Sequence, residues 1–395
     1  MDFDDAPDER AFRMEVRAWL DGNVAPEHRI RAGADDLFDM GSAEYAAACR
    51  AWQRRLFEAG YAGLTWPVDH GGRGASLAFQ IIFNQEQGRF SLPIGLSMVS
   101  VGMVGPTLIV HGTKDQQDRH LRRILRGDEA WCQLFSEPGA GSDLPSLRTR
   151  AEADGDSFVV NGQKVWTSFA QHSDWAILLA RTGPSGSGRA GITYFLCDMR
   201  SPGIEVSPLR QITGVAHFNE VFLTDVRIPA ENVVGEVDDG WRVARTTLGS
   251  ERATIAGTPK FRAVVDDLLA LARRRGRAGD GVLRQELARA YTNARLLEFM
   301  GFRLQTALSQ GRLPGPEASV LKLLLSRQHQ LVGDLGVGIE GPAGTLWDDT
   351  GGAVAEWQRR LCDQFLVRIG GGTDEVQRNA VAERALGLPR DPTSV

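Results

Sequence analysis

Hydroxyls, glycines and one indole recur close together between Leu134 and Ser168, in LFSEPGAGSDLPSLRTRAEADGDSFVVNGQKVWTS. Ser136 and Ser142 border a Pro/Gly turn in which Gly139 and Gly141 are expected to turn successive backbone N–H groups toward one point. That is the concavity that holds an anion such as pyrophosphate. Farther along, Asn161-Gly162 is predicted to form a tight type I′ hairpin between Phe158-Val159-Val160 and the run from Gln163 to Thr167. The hairpin would deliver Trp166, Thr167 and Ser168 together at a strand end. An indole face beside two hydroxyl donors suits the rim of a flavin ring, which offers a π-face with N5 and O4 as acceptors.

These groups need elements to hold them. The chain has 395 residues, 42% of them hydrophobic, enough to bury a sizeable core in two or three domains. No apolar run approaches the roughly 20 residues of a membrane helix, and the acidic start MDFDDAPDER is unlike a secretory signal, so no membrane contact and a cytoplasmic location are expected. Cys49, Cys132, Cys197 and Cys362 are scattered, with no C-x-x-C pair and so no indicated metal site or disulfide framework. A net charge of −5 argues against nucleic acid as a partner.

Up to about Gly127 the period is helical, with Phe12, Val16, Trp19 and Leu20, then Trp52, Leu56 and Phe57, as core stripes and Gly60 as a stop. Glycines 95, 102 and 105 interrupt an apolar segment from Leu92 to Val110, either for close helix packing or to leave room for a ligand. Strand-like runs follow: Trp175 to Ala180, Ile192 to Cys197, Ile204 to Ser207 and Phe218 to Ile228. They predict a β domain of sandwich or barrel type. Helical period then returns. Thr258-Pro259 reads as a helix start, and Leu283, Leu287, Ala290, Ala294, Leu297, Gly301, Leu304 and Leu308 as the seam of a long bundle helix. Pro314 to Pro316 breaks before a further helix from Glu317, and Gly370 to Gly372 mark a close backbone approach near the C-terminus.

The middle segment resembles the acyl-CoA dehydrogenases, flavoenzymes that desaturate CoA thioesters, whose motif reads approximately T-E-P-x-A-G-S-D, N-G-x-K, W-I-T. Here Ser136 to Asp143 reads SEPGAGSD, Asn161 to Lys164 reads NGQK, and Trp166-Thr167-Ser168 follows. At the C-terminus Gly371 to Asn379 reads GGTDEVQRN, and Leu386 to Pro389 reads LGLP, similar to the family's G-G-T-x-E-I-Q-R-N and L-G-L-P. The resemblance implies an α+β protein: an N-terminal helical domain (1–127), a middle β-sandwich or barrel domain (128–235) and a C-terminal four-helix bundle (236–395). It implies flavin adenine dinucleotide (FAD) contacts at Leu134, Ser136, Gly141, Ser142, Trp166, Thr167 and Ser168, with Arg275, Thr373 and Glu375 reaching across from a neighbour. Ser142, Arg252 and Gly371 would meet an acyl-CoA substrate. Electron-transferring flavoprotein is the acceptor the family implies.

Removing a proton alpha to a thioester carbonyl calls for a carboxylate in a dry pocket, its basicity raised by burial. Many relatives carry that glutamate directly before Gly-Thr, where this chain has Gly371. A minority carry it on a helix immediately before an arginine, and Glu251-Arg252 matches that alternative. The resemblance therefore implies Glu251 as the base, flavin N5 as hydride acceptor, and an oxyanion hole from an N–H near Gly371.

Two departures concern assembly. The family's R-x-x-F-G reads here as Arg275 to Gly279, RGRAG, without its aromatic, and Gly338 to Pro342, GIEGP, replaces Q-x-x-G-G. With RQELAR (284–289) and PGPEAS (314–319), the chain is most similar to actinobacterial members that act on bulky acyl-CoAs, steroid side chains included, some of which are heteromers. A homo-oligomer (dimer or tetramer) or a heteromer with a related subunit is thus expected. Two other functions remain open on the same fold: a flavin oxidase or monooxygenase, and a subunit that completes a partner's flavin site.

Overall fold

The computed structural model describes residues 5–25, 28, 40–184, 186–255, 261–309, 315–347 and 353–390. Six helices come first: α1 (Pro7–Asn23), α2 (Ala43–Glu58), α3 (Leu77–Gln87), α4 (Gly95–Val99), α5 (Gly105–His111) and α6 (Lys114–Arg126). Seven strands follow: β1 (Trp131–Leu134), β2 (Arg150–Asp154), β3 (Ser157–Ser168), β4 (Trp175–Arg181), β5 (Ile192–Asp198), β6 (Ile204–Leu209) and β7 (Phe218–Pro229). Then come α7 (Gly240–Ile255), α8 (Phe261–Arg274), α9 (Gly281–Ser309), α10 (Glu317–Glu340), α11 (Ala353–Ile369) and α12 (Asp374–Arg384). The fold is α+β, as the motifs imply. No helix among the described residues is long and apolar enough to cross a membrane.

Two compact units emerge, one from the described residues within 38–75 and 92–254, the other from those within 1–37, 76–91 and 255–395. In the first, the strands make one seven-stranded sheet in the order β1-β4-β2-β3-β7-β6, with β5 paired to β4. Its apolar face buries Leu134, Val160, Leu178, Phe195, Val221 and Val226. Every strand predicted from Trp175 onward is present, one or two residues longer than its apolar run. β2 carries no such run: Arg150–Asp154 reads RAEAD, and its strand state comes from its ladder with β3.

The predicted Asn161-Gly162 hairpin is not there. β3 runs unbroken through that pair, which sits at a shift in register against β7. The turn lies earlier, where Gly155 takes φ +65° between β2 and β3. Gly162 has a packing reason instead: a Cβ there would lie 2.4 Å from the Thr149 hydroxyl. Between α4 and α5, Ser100–Val104 forms a π-type turn. Pro106 offers no N–H to the carbonyl four residues back, and the wider turn accommodates that loss. Gly105 leaves no space for a ligand, since a Cβ there would lie 1.9 Å from the Trp66 ring.

In the second unit Phe12, Val16 and Leu20 form the buried face of α1, as their spacing predicts. The seam of α9 buries Leu283, Leu287, Ala290, Ala294, Leu297 and Leu304 among α8, α10 and α11. Trp357 of α11 packs onto Gly336 of α10, where a Cβ would fall 2.2 Å from the indole. Thr258, Pro259 and Pro314 lie outside the described residues.

Candidate active site

Trp166 stands out because the β3 ladder is irregular there. Lys164 pairs with Val221 and Thr167 with Asn219, so three residues of β3 span what two of β7 span. The extra residue is a bulge, and Trp166 takes φ +60°. The residue is 61% exposed, while Val165 and Thr167 on either side are buried. Phe218 meets the indole edge-on at 6.1 Å. Phe169, also left-handed at φ +57°, closes the strand. Two non-glycine residues in this region of backbone space within four positions mark a segment whose shape is imposed by its surroundings.

A buried ion pair adjoins this segment. Lys164 is wholly buried, and its Nζ donates to the Phe135 carbonyl at 3.0 Å and to Glu137 Oε1 at 2.8 Å. The Glu137 carboxylate also accepts from the Arg148 N–H at 2.7 Å and the Thr149 N–H at 2.9 Å. Val165 N–H donates to the Ser136 carbonyl at 2.9 Å. The SEPGAGSD turn is thus clamped to β3 directly beside Trp166. Burial pulls the Lys164 ammonium down to about 8, against the attraction of Glu137. Burial raises the Glu137 carboxyl, but the Lys164 charge and the hydrogen bonds outweigh it and hold the group below the ordinary carboxylate range. The motif NGQK contained Lys164, but its spacing gave no signal of this role.

Within the turn, Glu137 and Ala140 exchange N–H···O bonds at 3.0 Å. Gly139 and Gly141 take ordinary, not left-handed, backbone conformations. Their contribution is openness: a Cβ at either would meet nothing within 4 Å. Gly141 and Ser142 are exposed, and Ser136 and Ser168 half-buried. The Leu134 side chain belongs to the sheet core, and Leu134 pairs with Leu178 in the β1–β4 ladder. The buried Thr167 Oγ1 has no partner among the described residues. Open glycines, a presented indole and an unsatisfied hydroxyl fit a flat, hydrogen-bonding cofactor such as a flavin.

In the other unit, Thr373 caps α12, its Oγ1 accepting from the Val376 N–H at 3.2 Å. Glu375 is exposed and pairs with Arg378 at 3.0 Å. Gly371 and Gly372 take φ +66° and +89°, and Gln377 Nε2 fixes the Gly371 carbonyl at 2.9 Å. Arg275 pairs with Glu340, a residue of the segment that departs from the family motif. Glu251 and Arg252 lie on the final turns of α7, with their side chains outside the described residues.

The chain matches the acyl-CoA dehydrogenase N-terminal domain over residues 6–128, the middle domain over 132–226 and the C-terminal domain over 238–386. It is 42% identical over 393 residues to acyl-CoA dehydrogenase IpdE1 of Mycobacterium tuberculosis, spanning 97% of this chain and 99% of that one. The chain belongs to the acyl-CoA dehydrogenase family. It is an FAD-dependent oxidoreductase acting on CH–CH bonds. Among solved structures it is similar to the Tcur3481-Tcur3483 steroid ACAD, with TM-score 0.85 and 32% identity over 99% of this chain and 100% of that one. The ChsE4-ChsE5 complex from Mycobacterium tuberculosis is also similar, with TM-score 0.81 and 29% identity over 99% and 100%. For this acyl-CoA dehydrogenase, the Trp166 bulge and the open turn are the described features that suit the FAD.

Proposed function

We propose that this chain catalyses α,β-dehydrogenation of an acyl-CoA thioester, with Glu251 removing the α proton. The observation that carries the reading is the backbone at Gly371. Its left-handed φ would strain a glutamate, so the position directly before Gly-Thr is poorly suited to a base. Glu251 supplies a carboxylate at the alternative position, and Arg252 beside it balances charge. The bound flavin supplies the hydride acceptor at N5. Trp166, Thr167 and Ser168 would orient it, Ser136, Gly141 and Ser142 of the clamped turn would hold it, and an N–H near Gly371 would polarise the thioester oxygen. Electron-transferring flavoprotein is the proposed acceptor.

The substrate is proposed to be bulky. The residue pattern resembles members that act on such acyl groups, and one similar structure is described as a steroid enzyme.

The visible spectrum tests the reading. Under anaerobic conditions, at least one member of a panel of butyryl-, octanoyl- and steroid-type CoA esters should bleach the flavin. A flavin untouched by every thioester contradicts it. A second reading, a heteromer in which a related subunit completes the flavin site, is supported by the Arg275–Glu340 pair, which occupies an arginine expected to reach a neighbour's cofactor.

A further inference from the structure

Three buried hydroxyls that the cofactor and substrate sites leave unused meet at one point of the first unit. They are Tyr194 on β5, Thr107 on α5 and Thr247 on α7, each at most 1% exposed. Thr107 Oγ1 lies 2.8 Å from Thr247 Oγ1, and Tyr194 Oη lies 3.1 Å from the same atom. Each hydroxyl carries one proton, so the carbonyl acceptors fix the direction. Thr107 has the Met103 carbonyl at 2.8 Å, while Thr247 has only the Val243 carbonyl at 3.5 Å. Thr107 therefore donates to Met103, Thr247 donates to Thr107, and Tyr194 donates to Thr247. Burial pushes the Tyr194 phenol up, which keeps its proton in place to donate.

The chain of hydroxyls joins α7 to β5 and α5. Gly240, Val243, Ala244 and Thr247 form the buried stripe of this helix. Gly240 lies against the β5 backbone, where a Cβ would fall 2.5 Å from the Tyr194 nitrogen. By helical period the next position of that stripe is 251. Thr247 thus ties α7, one turn ahead of Glu251, to both the sheet and the helix that follows the π-type turn. A threonine whose hydroxyl merely returned to its own helix would hold neither.

We propose that the Tyr194–Thr247–Thr107 chain is a positioning device that fixes the rotation of α7 and so the placement of the Glu251 carboxylate. The inference rests on the reading of Glu251 as base. Small displacements of a reacting group are expensive, about a hundred-fold in rate for 1 Å.

The test uses the FAD-loaded enzyme, in whatever assembly retains flavin, with the best thioester of the panel. Thr247→Val keeps the side-chain shape and removes the hydroxyl. It should lower kcat about ten- to a hundred-fold, with KM within about three-fold. Thr247→Ser should restore kcat, and Tyr194→Phe should show a smaller loss of the same kind. Backbone amide exchange in α7 should rise with Val and not with Ser, a readout that needs no turnover. In the Glu251→Gln background, Thr247→Val should slow single-turnover flavin reduction no further. A Thr247→Val enzyme with wild-type kcat beside an inactive Glu251→Gln enzyme overturns the positioning role alone. Full activity of Glu251→Gln overturns the base assignment and this inference with it.

Discussion

Arg275 is held by Glu340, a carboxylate with a side-chain exposure of only 4%. The guanidinium follows α8, and the carboxylate ends α10. Withdrawing Arg275 toward another chain's cofactor would leave Glu340 buried and unpaired. That costs up to about 3–5 kcal/mol for a fully buried pair and less here, since Arg275 is 43% exposed.

Flavin retention should therefore depend on a partner. Ala278 also stands in place of an aromatic and Gly338 in place of a glutamine; losing one buried aromatic contact weakens binding about ten- to a hundred-fold. The purified chain alone should carry well under one flavin per protomer, and co-expression with a related subunit should raise the ratio. A homo-oligomer with one tightly held flavin per chain would refute this.

The Lys164–Glu137 pair should be the costliest single polar contact to break in the β domain. Lys164→Met should destabilise by about 3–5 kcal/mol, and adding Glu137→Gln should recover part of that loss. The pair also fixes an acid limb. Glu137 is held below the ordinary carboxylate value, so its contribution is complete above about pH 4.3 and fades as the pH falls through the folded value. Melting temperatures from pH 3 to 6 should fall more steeply for wild type than for the double variant. Parallel curves would assign the acid limb elsewhere.

Trp166→Gly separates strain from binding. The left-handed backbone at this position costs a non-glycine residue about 1–2 kcal/mol, so glycine should leave stability unchanged or slightly raised. Flavin affinity should drop at least ten-fold as the indole is lost. Equal flavin affinity in a calorimetric titration would remove Trp166 from the cofactor rim.

On the proposed reading, a bulky acyl group would lie beside the helical segment around the π-type turn. Specificity constants should rank steroid-type CoA esters above octanoyl and butyryl, and Gly102→Leu should move the preference toward shorter acyl groups. Butyryl-CoA ranking first in wild type would contradict a bulky substrate. Gly105 makes no such contribution, because Trp66 fills the space beside it.

The legible parts of this sequence were those in which one residue type answers to one physical demand. The α9 seam followed from apolar spacing, and the family from the motifs around Trp166 and at the C-terminus. What escaped depends on partners far away in the chain. β2 is a strand because β3 pairs with it, not because RAEAD favours one. Asn161-Gly162 has the composition of a hairpin turn, yet continuous pairing with β7 carries β3 through it. Glu137 and Lys164 are 27 residues apart, and Thr107 and Thr247 are 140 apart. Each reads alone as an ordinary polar residue.

Glu251→Gln tests the central claim most directly. The amide keeps the shape of the side chain and cannot accept the α proton, and a positioned general base is typically worth about a hundred- to ten-thousand-fold. Mixed anaerobically with the best thioester, the variant should retain its fold and wild-type flavin content while its rate of flavin reduction falls by at least a hundred-fold. Reduction within a few-fold of wild type would show that Glu251 is not the base.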